Sequence, residues 1–74
     1  MDKFEEAQKL KELGELTQSM ELFKELVCEA PDNASYQYHC ACAHDRLGFE
    51  REAVPYYEAA LQLGLHTEEN RGLF

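Results

Sequence analysis

The residues of this chain that could do chemistry are concentrated between positions 39 and 44. They are imidazoles and thiols, the groups that bind zinc in structural sites, at His39, Cys40, Cys42 and His44. On a helix, Cys40 and His44 share one face, and His39 and Cys42 share another. Each face then offers two ligands, whereas structural zinc takes four that converge. We therefore predict no metal site and no cofactor, while a metal- or redox-responsive role for this cluster stays an open alternative.

The residues needed for other kinds of catalytic site do not occur together. Ser19 and Ser35 are the only serines, and neither lies in a sequence context that activates a hydroxyl nucleophile. The sequence has no glycine-rich loop that could cradle a phosphate. The glutamates alternate with apolar residues at helical spacing, which is typical of the solvent-exposed side of a helix. We predict that the protein is not an enzyme.

The composition limits the possible partners. The 74 residues include 15 acidic and 7 basic side chains, which gives a net charge of −8. Because an acidic surface repels phosphate backbones and anionic lipid headgroups, we expect a protein or peptide partner, no nucleic acid and no membrane. The three cysteines are an odd number, and the N-terminal residues are charged where a signal peptide would be apolar. These features predict reduced thiols and a cytoplasmic location.

The helices that position these residues recur at a constant spacing along the sequence. We call this spacing the repeat interval, and it equals the separation between Ala7 and Ala41. Residues one repeat interval apart are of the same type in both halves, namely small (Ala7 and Ala41), glycine (Gly14 and Gly48) or aromatic (Phe4 and Tyr38, Phe23 and Tyr57). An interval of this length is typical of stacked helical hairpins, because one hairpin is too small to bury its own apolar face. We therefore predict an all-α protein.

Capping and breaking residues divide the first half into two helices. Asp2, followed three residues later by Glu5, has the pattern of a capping box that opens the first helix. Gly14 ends that helix, since glycine readily adopts the left-handed conformation found just past a helix. Thr17 is the expected N-cap of the second helix, and Pro31 stops it.

The second half repeats this division. Either Asn33 or Ser35 is expected to cap the third helix, and Gly48 ends it. A fourth helix is predicted from about Glu50 to Leu63, with a frayed or slightly bent start because Pro55 removes one backbone hydrogen bond. Its inward-facing residues are predicted to be Ala53, Val54, Tyr57, Ala60 and Leu61.

These residues and spacings resemble the tetratricopeptide repeat family, whose unit is a helix–turn–helix of about 34 residues. The family's alanine–aromatic–small pattern on the second helix of a unit is matched by Ala53, Tyr57 and Ala60. Its tryptophan position departs from the family, because Lys3 and Gln37 stand there. The positions that the resemblance assigns to the core of the repeats are Ala7, Gly14, Phe23, Ala41, Gly48, Ala53, Tyr57 and Ala60.

The resemblance implies two antiparallel hairpins that stack as a right-handed α–α superhelix. Repeat 1 would span residues 1–33 and repeat 2 residues 34–67, and residues 68–74 would begin a third repeat or form a C-terminal tail. A natural chain seldom stops one turn into a repeat, so we interpret the sequence as part of a longer array. Phe23, an aromatic core position of the first repeat, is expected to be essential to its stability.

The family's function is to hold a peptide in a concave groove lined by the first helix of each repeat, and the resemblance implies the same here. The positions that match the groove are Phe4, Gln8, Lys11, Tyr38, Cys42 and Asp45. Phe4 and Tyr38 would be aromatic anchors, and the alternative is that they only cap the local core. The basic clamp with which one subclass holds chaperone tails does not match, because Gln8 and Cys42 stand among its positions.

Self-assembly is an alternative to peptide binding. Two repeats are fewer than the roughly three that usually form a stable array. Val54, Leu61 and Leu63 would then bury the outer face of the fourth helix against a second copy, with residues 68–74 packing across that interface. The sequence thus leaves a homodimer open.

Overall fold

The computed structural model describes residues 2–64, which form four α-helices. These are α1 (Lys3–Glu12), α2 (Leu16–Glu29), α3 (Ala34–Arg46) and α4 (Glu50–Gln62). The predicted all-α class is confirmed, and residues 2–64 contain no strand. Successive helices pack on one another, so that α2 lies between α1 and α3 whereas α4 packs on α3. The two hairpins, α1–α2 and α3–α4, are therefore joined chiefly through α2 and α3.

The two turns within the hairpins are built alike. Gly14 and Gly48 have φ of +86° and +87°, the left-handed conformation in which a side chain would be strained. The N–H of the next residue reaches five positions back, from Glu15 to the Leu10 carbonyl at 2.8 Å and from Phe49 to the His44 carbonyl at 2.9 Å. Together with the glycine N–H bonds, this is the Schellman arrangement that ends helices. The predicted helix ends at these glycines are confirmed.

The side chains of Asp2 and Asn33 cap the first helix of each hairpin and fix where it begins. The Asp2 carboxylate accepts a hydrogen bond from the Glu5 backbone N–H at 2.8 Å. The Asn33 side chain accepts one from the Tyr36 N–H at 3.1 Å, so Asn33 and not Ser35 caps α3. Both caps satisfy a backbone donor that the helix itself leaves unpaired.

One expectation about the start of α2 is wrong, and the expected fraying of α4 is wrong too. Thr17 does not cap α2, because the Schellman turn brings the chain into the helix at Leu16, directly after Glu15. The start of α4 is not frayed, since the Ala53 N–H donates to the Phe49 carbonyl at 3.0 Å and closes the first turn. The helix continues through Pro55, whose ring lacks only the N–H that would reach back to the Arg51 carbonyl.

The core lies where α2 meets its two neighbours. Its buried members come from α1, α2 and α3: Ala7, Met20, Phe23, Leu26, Cys40 and Ala43. Phe23 has no exposed surface, and its ring lies 5.9 Å from that of Phe4 on α1 and 5.6 Å from that of His39 on α3, measured between centroids. One α2 side chain thus links both hairpins.

Val54 and Leu61 do not face inward as predicted. Their exposed fractions are 49 % and 53 %. The reason is the position of α4 within residues 2–64, where it packs on α3 and its opposite side faces solvent. Burial on α4 is therefore confined to the side that faces α3, where Ala53 and Ala60 lie.

Candidate partner-binding surface

Six side chains, three from α1 and three from α3, occupy the predicted groove positions. We call this surface the α1–α3 face, and it consists of Phe4, Gln8, Lys11, Tyr38, Cys42 and Asp45. Within each set of three, the second member follows four positions after the first and the third follows three after that, which places each set along one side of its helix. Phe4 brings the two helices together, since its ring lies 5.7 Å from that of Tyr36 and 5.1 Å from that of His39.

His39 is the central ring of this region, and the groove pattern did not include it. Its imidazole stacks on Phe23, meets the edge of Phe4, and lies 5.6 Å from the ring of Tyr38. Burial lowers the pKa of His39 below 6.5, and the positive charge of Lys11 lowers it further. The ring is therefore mainly uncharged at neutral pH, which suits a position between aromatic side chains of both hairpins.

Cys42 and Tyr38 are held by Tyr57 of α4. The Tyr57 hydroxyl donates to the Cys42 sulfur at 3.7 Å, and the Tyr57 ring lies 6.0 Å from that of Tyr38. Burial raises the pKa of Tyr57, as does its hydrogen bond to Cys42, so the hydroxyl keeps its proton. Because these contacts fix the positions of Tyr38 and Cys42, their surface is prepared before any partner binds.

The polar members of the α1–α3 face carry opposite charges at equivalent positions. Lys11 on α1 and Asp45 on α3 are separated by one repeat interval. The positive charge of Lys11 contributes to the lowered pKa of His39, and the negative charge of Asp45 contributes to the raised pKa of Tyr57. Gln8 is half-buried between Phe4 and Lys11 along α1. The surface therefore has an aromatic centre with a cation on one helix and an anion on the next.

The four His and Cys residues of the sequence cluster do not converge on one point. Cys40 and His44 face the core, where the His44 Nδ1–H donates to the Cys40 carbonyl at 2.8 Å and the His44 ring stacks on Tyr56. Burial raises the pKa of the Cys40 thiol to about 11, so it is a poor source of the thiolate that binds metal. No group of three or more metal-binding side chains occurs within the described part of the chain.

The positions that the resemblance assigned to the repeat core differ in their burial. Ala7, Phe23 and Ala41 have no exposed surface, and Ala53 and Ala60 are almost as buried. Gly14 and Gly48 lie in the exposed turns, and Tyr57 is half-buried. The family pattern has alanine where Ser19 stands, yet Ser19 is buried and its hydroxyl donates to the Ala7 carbonyl at 2.8 Å. That bond satisfies a polar group which would otherwise be costly to bury.

Lys3, at the family's tryptophan position, makes contacts that the repeat pattern does not indicate. Its ammonium group bonds to the carboxylates of Glu25, at 3.2 Å, and Glu29, and so ties the start of α1 to the end of α2. The hydrogen bond to Glu29, followed by that to Glu25, raises the pKa of Lys3.

None of the described helices has both the length and the apolar character that a membrane-spanning helix needs.

Comparison with known proteins places the chain in a family. Curated proteins and solved structures gave no match. The sequence model of the family described as Tetratrico peptide repeat matches residues 33–73, more than half of the 74-residue chain. This range begins at the Asn33 cap and includes α3, the Gly48 turn and α4, whose counterparts recur in the first hairpin. The chain belongs to the tetratricopeptide repeat family.

Proposed function

We propose that the chain is a non-catalytic interaction module that holds a peptide or a partner protein on the α1–α3 face. Tetratricopeptide repeats generally serve as protein-interaction scaffolds. The observation that carries the proposal is the exposure of Tyr38: 36 % of its surface is open to solvent, although its ring is held by Tyr57 and His39. Rigid, partly exposed aromatic side chains are the residues that most often dominate binding energy.

The chemistry of the face indicates the kind of peptide. Phe4 and Tyr38 offer an apolar centre for an aliphatic or aromatic side chain, and Gln8 offers hydrogen bonds to a peptide backbone. Lys11 and Asp45 would pair with an acidic and a basic residue that flank this anchor. We further propose that binding takes place in the cytoplasm, in keeping with the free thiols of Cys28, Cys40 and Cys42.

A peptide selection with the full 74-residue chain tests the proposal. Peptides selected from a display library would be synthesised, and their Kd would be measured by fluorescence anisotropy. For Tyr38→Ala we expect a Kd at least about 30-fold higher, which corresponds to the ~2 kcal/mol that defines a hot spot. Phe49→Ala is the matched control, because Phe49 is 46 % exposed and lies in the α3–α4 turn, away from the α1–α3 face.

The control variant shows whether a loss of affinity comes from the α1–α3 face or from an effect elsewhere in the protein. Phe49→Ala should leave Kd within about twofold, since a residue outside the contact surface contributes little to binding. Equal Kd values for the wild type and Tyr38→Ala would contradict the proposed site. A loss that is as large in Phe49→Ala would assign binding to the turn or to general destabilisation.

A further inference from the structure

A surface groove lies between α2 and α4, beside the C-terminal end of α3. It consists of two depressions of about 460 Å³ and 210 Å³ that share three lining residues. Since an apolar cavity of about 150 Å³ is large enough to bind benzene, each depression has room for an aromatic ring. We call this surface the α2–α4 groove, and none of its residues belongs to the α1–α3 face. Its residues are Met20, Lys24, His44, Phe49, Glu52, Pro55 and Tyr56.

The α2–α4 groove contains a buried polar ring, that of His44, which lines both depressions although only 5 % of its surface is exposed. Its Nδ1 donates to the Cys40 carbonyl, which can only accept, so in the neutral ring Nε2 is an acceptor. Nδ1 is thus turned to the backbone of its own helix, which leaves the Nε2 side of the ring for the groove. Within residues 2–64 both polar contacts of His44 involve Nδ1, so Nε2 is an acceptor without a partner there.

Two contacts hold the His44 ring in place. Its hydrogen bond to the Cys40 carbonyl is 2.8 Å long, and its face stacks on Tyr56 of α4 with 4.9 Å between the ring centroids. The acceptor is therefore positioned before any ligand binds, which lowers the entropic cost of binding. A ligand that donates a hydrogen bond to it gains more than one that leaves it unpaired.

We propose that the α2–α4 groove binds the side chain of a tryptophan from a partner protein, and that the indole N–H donates to His44 Nε2. An indole N–H is a donor that cannot accept, so it matches a single unpaired acceptor. The rest of the bicyclic ring is apolar and suits the apolar side chains of the groove. Phe49, which is 46 % exposed, offers it an aromatic ring, and Met20 and Pro55 offer aliphatic surface.

The charges on the two walls of the groove indicate the residues beside the tryptophan. Lys24 on α2 and Glu52 on α4 line both depressions, and neither makes an ion pair within residues 2–64. They would pair with an acidic residue on one side of the tryptophan and a basic residue on the other. The 74 residues contain no tryptophan, so neither a second copy nor another segment of them can supply the indole.

A titration of N-acetyl-tryptophanamide with the full chain tests the proposal, since this compound is an uncharged stand-in for a tryptophan within a peptide. Because the 74 residues lack tryptophan, selectively excited indole fluorescence reports the probe alone. We expect saturable binding with a Kd of about 1 mM or below. A matched probe carries a methyl group on the indole nitrogen. Its Kd should be at least about tenfold higher, because the buried acceptor then has no donor.

Three variants locate the probe on the protein. Phe49→Ala should raise Kd at least about fivefold, because the indole loses an aromatic contact. Leu13→Ala is the matched control, since Leu13 is 65 % exposed and lies at the end of α1 in the other hairpin, and it should leave Kd within about twofold. In His44→Phe, which keeps a ring but removes the acceptor, the two probes should bind within about twofold of each other. If His44→Phe does not fold, as judged by circular dichroism, the two probes on the wild type still decide.

Other outcomes overturn the proposal. If the wild type shows no saturable binding, or if both probes bind it equally, the indole N–H does not bond to His44. The same holds if the methylated probe stays the weaker one in a folded His44→Phe. A loss of affinity in Tyr38→Ala, with none in Phe49→Ala, would assign the indole to the α1–α3 face. Tighter binding of N-acetyl-tyrosinamide would assign the groove to a phenol.

Discussion

The two hairpins share a turn geometry but differ in how well their second helices are covered. Gly14 and Gly48 have the same conformation, and the hydrogen bonds from each glycine N–H and from the N–H of the next residue correspond in the two turns. Yet Met20 on α2 is 8 % exposed and its counterpart Val54 on α4 is 49 % exposed. The cause is position, because within residues 2–64 α2 lies between α1 and α3, whereas α4 packs chiefly on α3. In a repeat protein, therefore, a residue type marks a core position only when the next unit is present.

The hairpins also differ at the position where the family has tryptophan. In the first hairpin, Lys3 reaches the Glu25 and Glu29 carboxylates and ties α1 to α2. In the second, the Gln37 side-chain amide donates to the Pro31 carbonyl at 2.8 Å and ties α3 to the segment that joins the hairpins. Each polar side chain thus stabilises a connection between its helix and a neighbouring segment.

Replacing Phe23 of the first hairpin, or its counterpart Tyr57 of the second, with alanine should give the largest losses of stability and the clearest contrast between the hairpins. Phe23→Ala is expected to cost about 3–5 kcal/mol, because a fully buried ring would leave a cavity. A chain of this length has a total stability of roughly 4–11 kcal/mol, so this variant would be close to unfolding. Tyr57→Ala should cost less, because Tyr57 is half-buried. Urea unfolding followed by circular dichroism checks both, and equal losses would contradict the asymmetry between the hairpins.

The matched pair Met20→Ala and Val54→Ala should give the next largest contrast. Met20→Ala is expected to cost about 2–5 kcal/mol, as for other buried methionines, whereas Val54→Ala should change stability by less than about 0.5 kcal/mol. The free energy of unfolding from urea titration measures both. A loss for Val54→Ala comparable to that for Met20→Ala would mean that the outer side of α4 is covered along its whole length.

The smallest expected effect is a pH dependence of stability that comes from His39, whose counterpart in the first hairpin is Glu5. The pKa of His39 is lowered by folding, so the unfolded chain takes up the proton first. The contribution of His39 is therefore full above pH 6.5, the ordinary pKa of histidine, and is lost as the pH falls from there through the lower folded pKa. Urea midpoints at about pH 7.5 and about pH 5.5, on either side of that value, should differ less in His39→Phe than in the wild type.

Two controls test whether this pH dependence of stability comes from His39. All other ionisable groups are the same in the wild type and in His39→Phe, so the difference between the two pH dependences isolates His39. Lys11→Gln should reduce the wild-type dependence in part, because the charge of Lys11 is the second cause of the lowered pKa. An unchanged pH dependence in His39→Phe would show that the imidazole is not held uncharged between the aromatic rings.

The sequence was sufficient to predict the features of the fold that depend on residues close together in the chain. The all-α class, the Asp2 cap and the helix ends at Gly14 and Gly48 depend on a few neighbouring residues, and the structure confirms them. The misplaced cap at Thr17 has a local cause too, since the tight turn after Gly14 starts the helix after Glu15, two residues before the expected cap. Local signals thus located the helices closely and left only their first residues uncertain.

Contacts between residues far apart in the sequence could not be predicted from it. The repeat interval aligns His39 with Glu5, and Glu5 gives no sign that His39 would enter between Phe4 and Phe23. The bond from the Ser19 hydroxyl to the Ala7 carbonyl depends on how closely α1 and α2 approach each other. For the α1–α3 face, the sequence indicated which residues share a side of each helix, but it did not indicate that Tyr57 holds Tyr38 and Cys42.

A nuclear magnetic resonance titration of the full chain with a selected peptide tests the central claim most directly. Backbone amide shifts would be followed as the peptide is added, and they report contact surfaces residue by residue. If the α1–α3 face binds the peptide, the largest shifts will cluster at Phe4, Gln8, Lys11, Tyr38, Cys42 and Asp45. Shifts concentrated on the outer sides of α2 and α4, with these six residues unchanged, would contradict it.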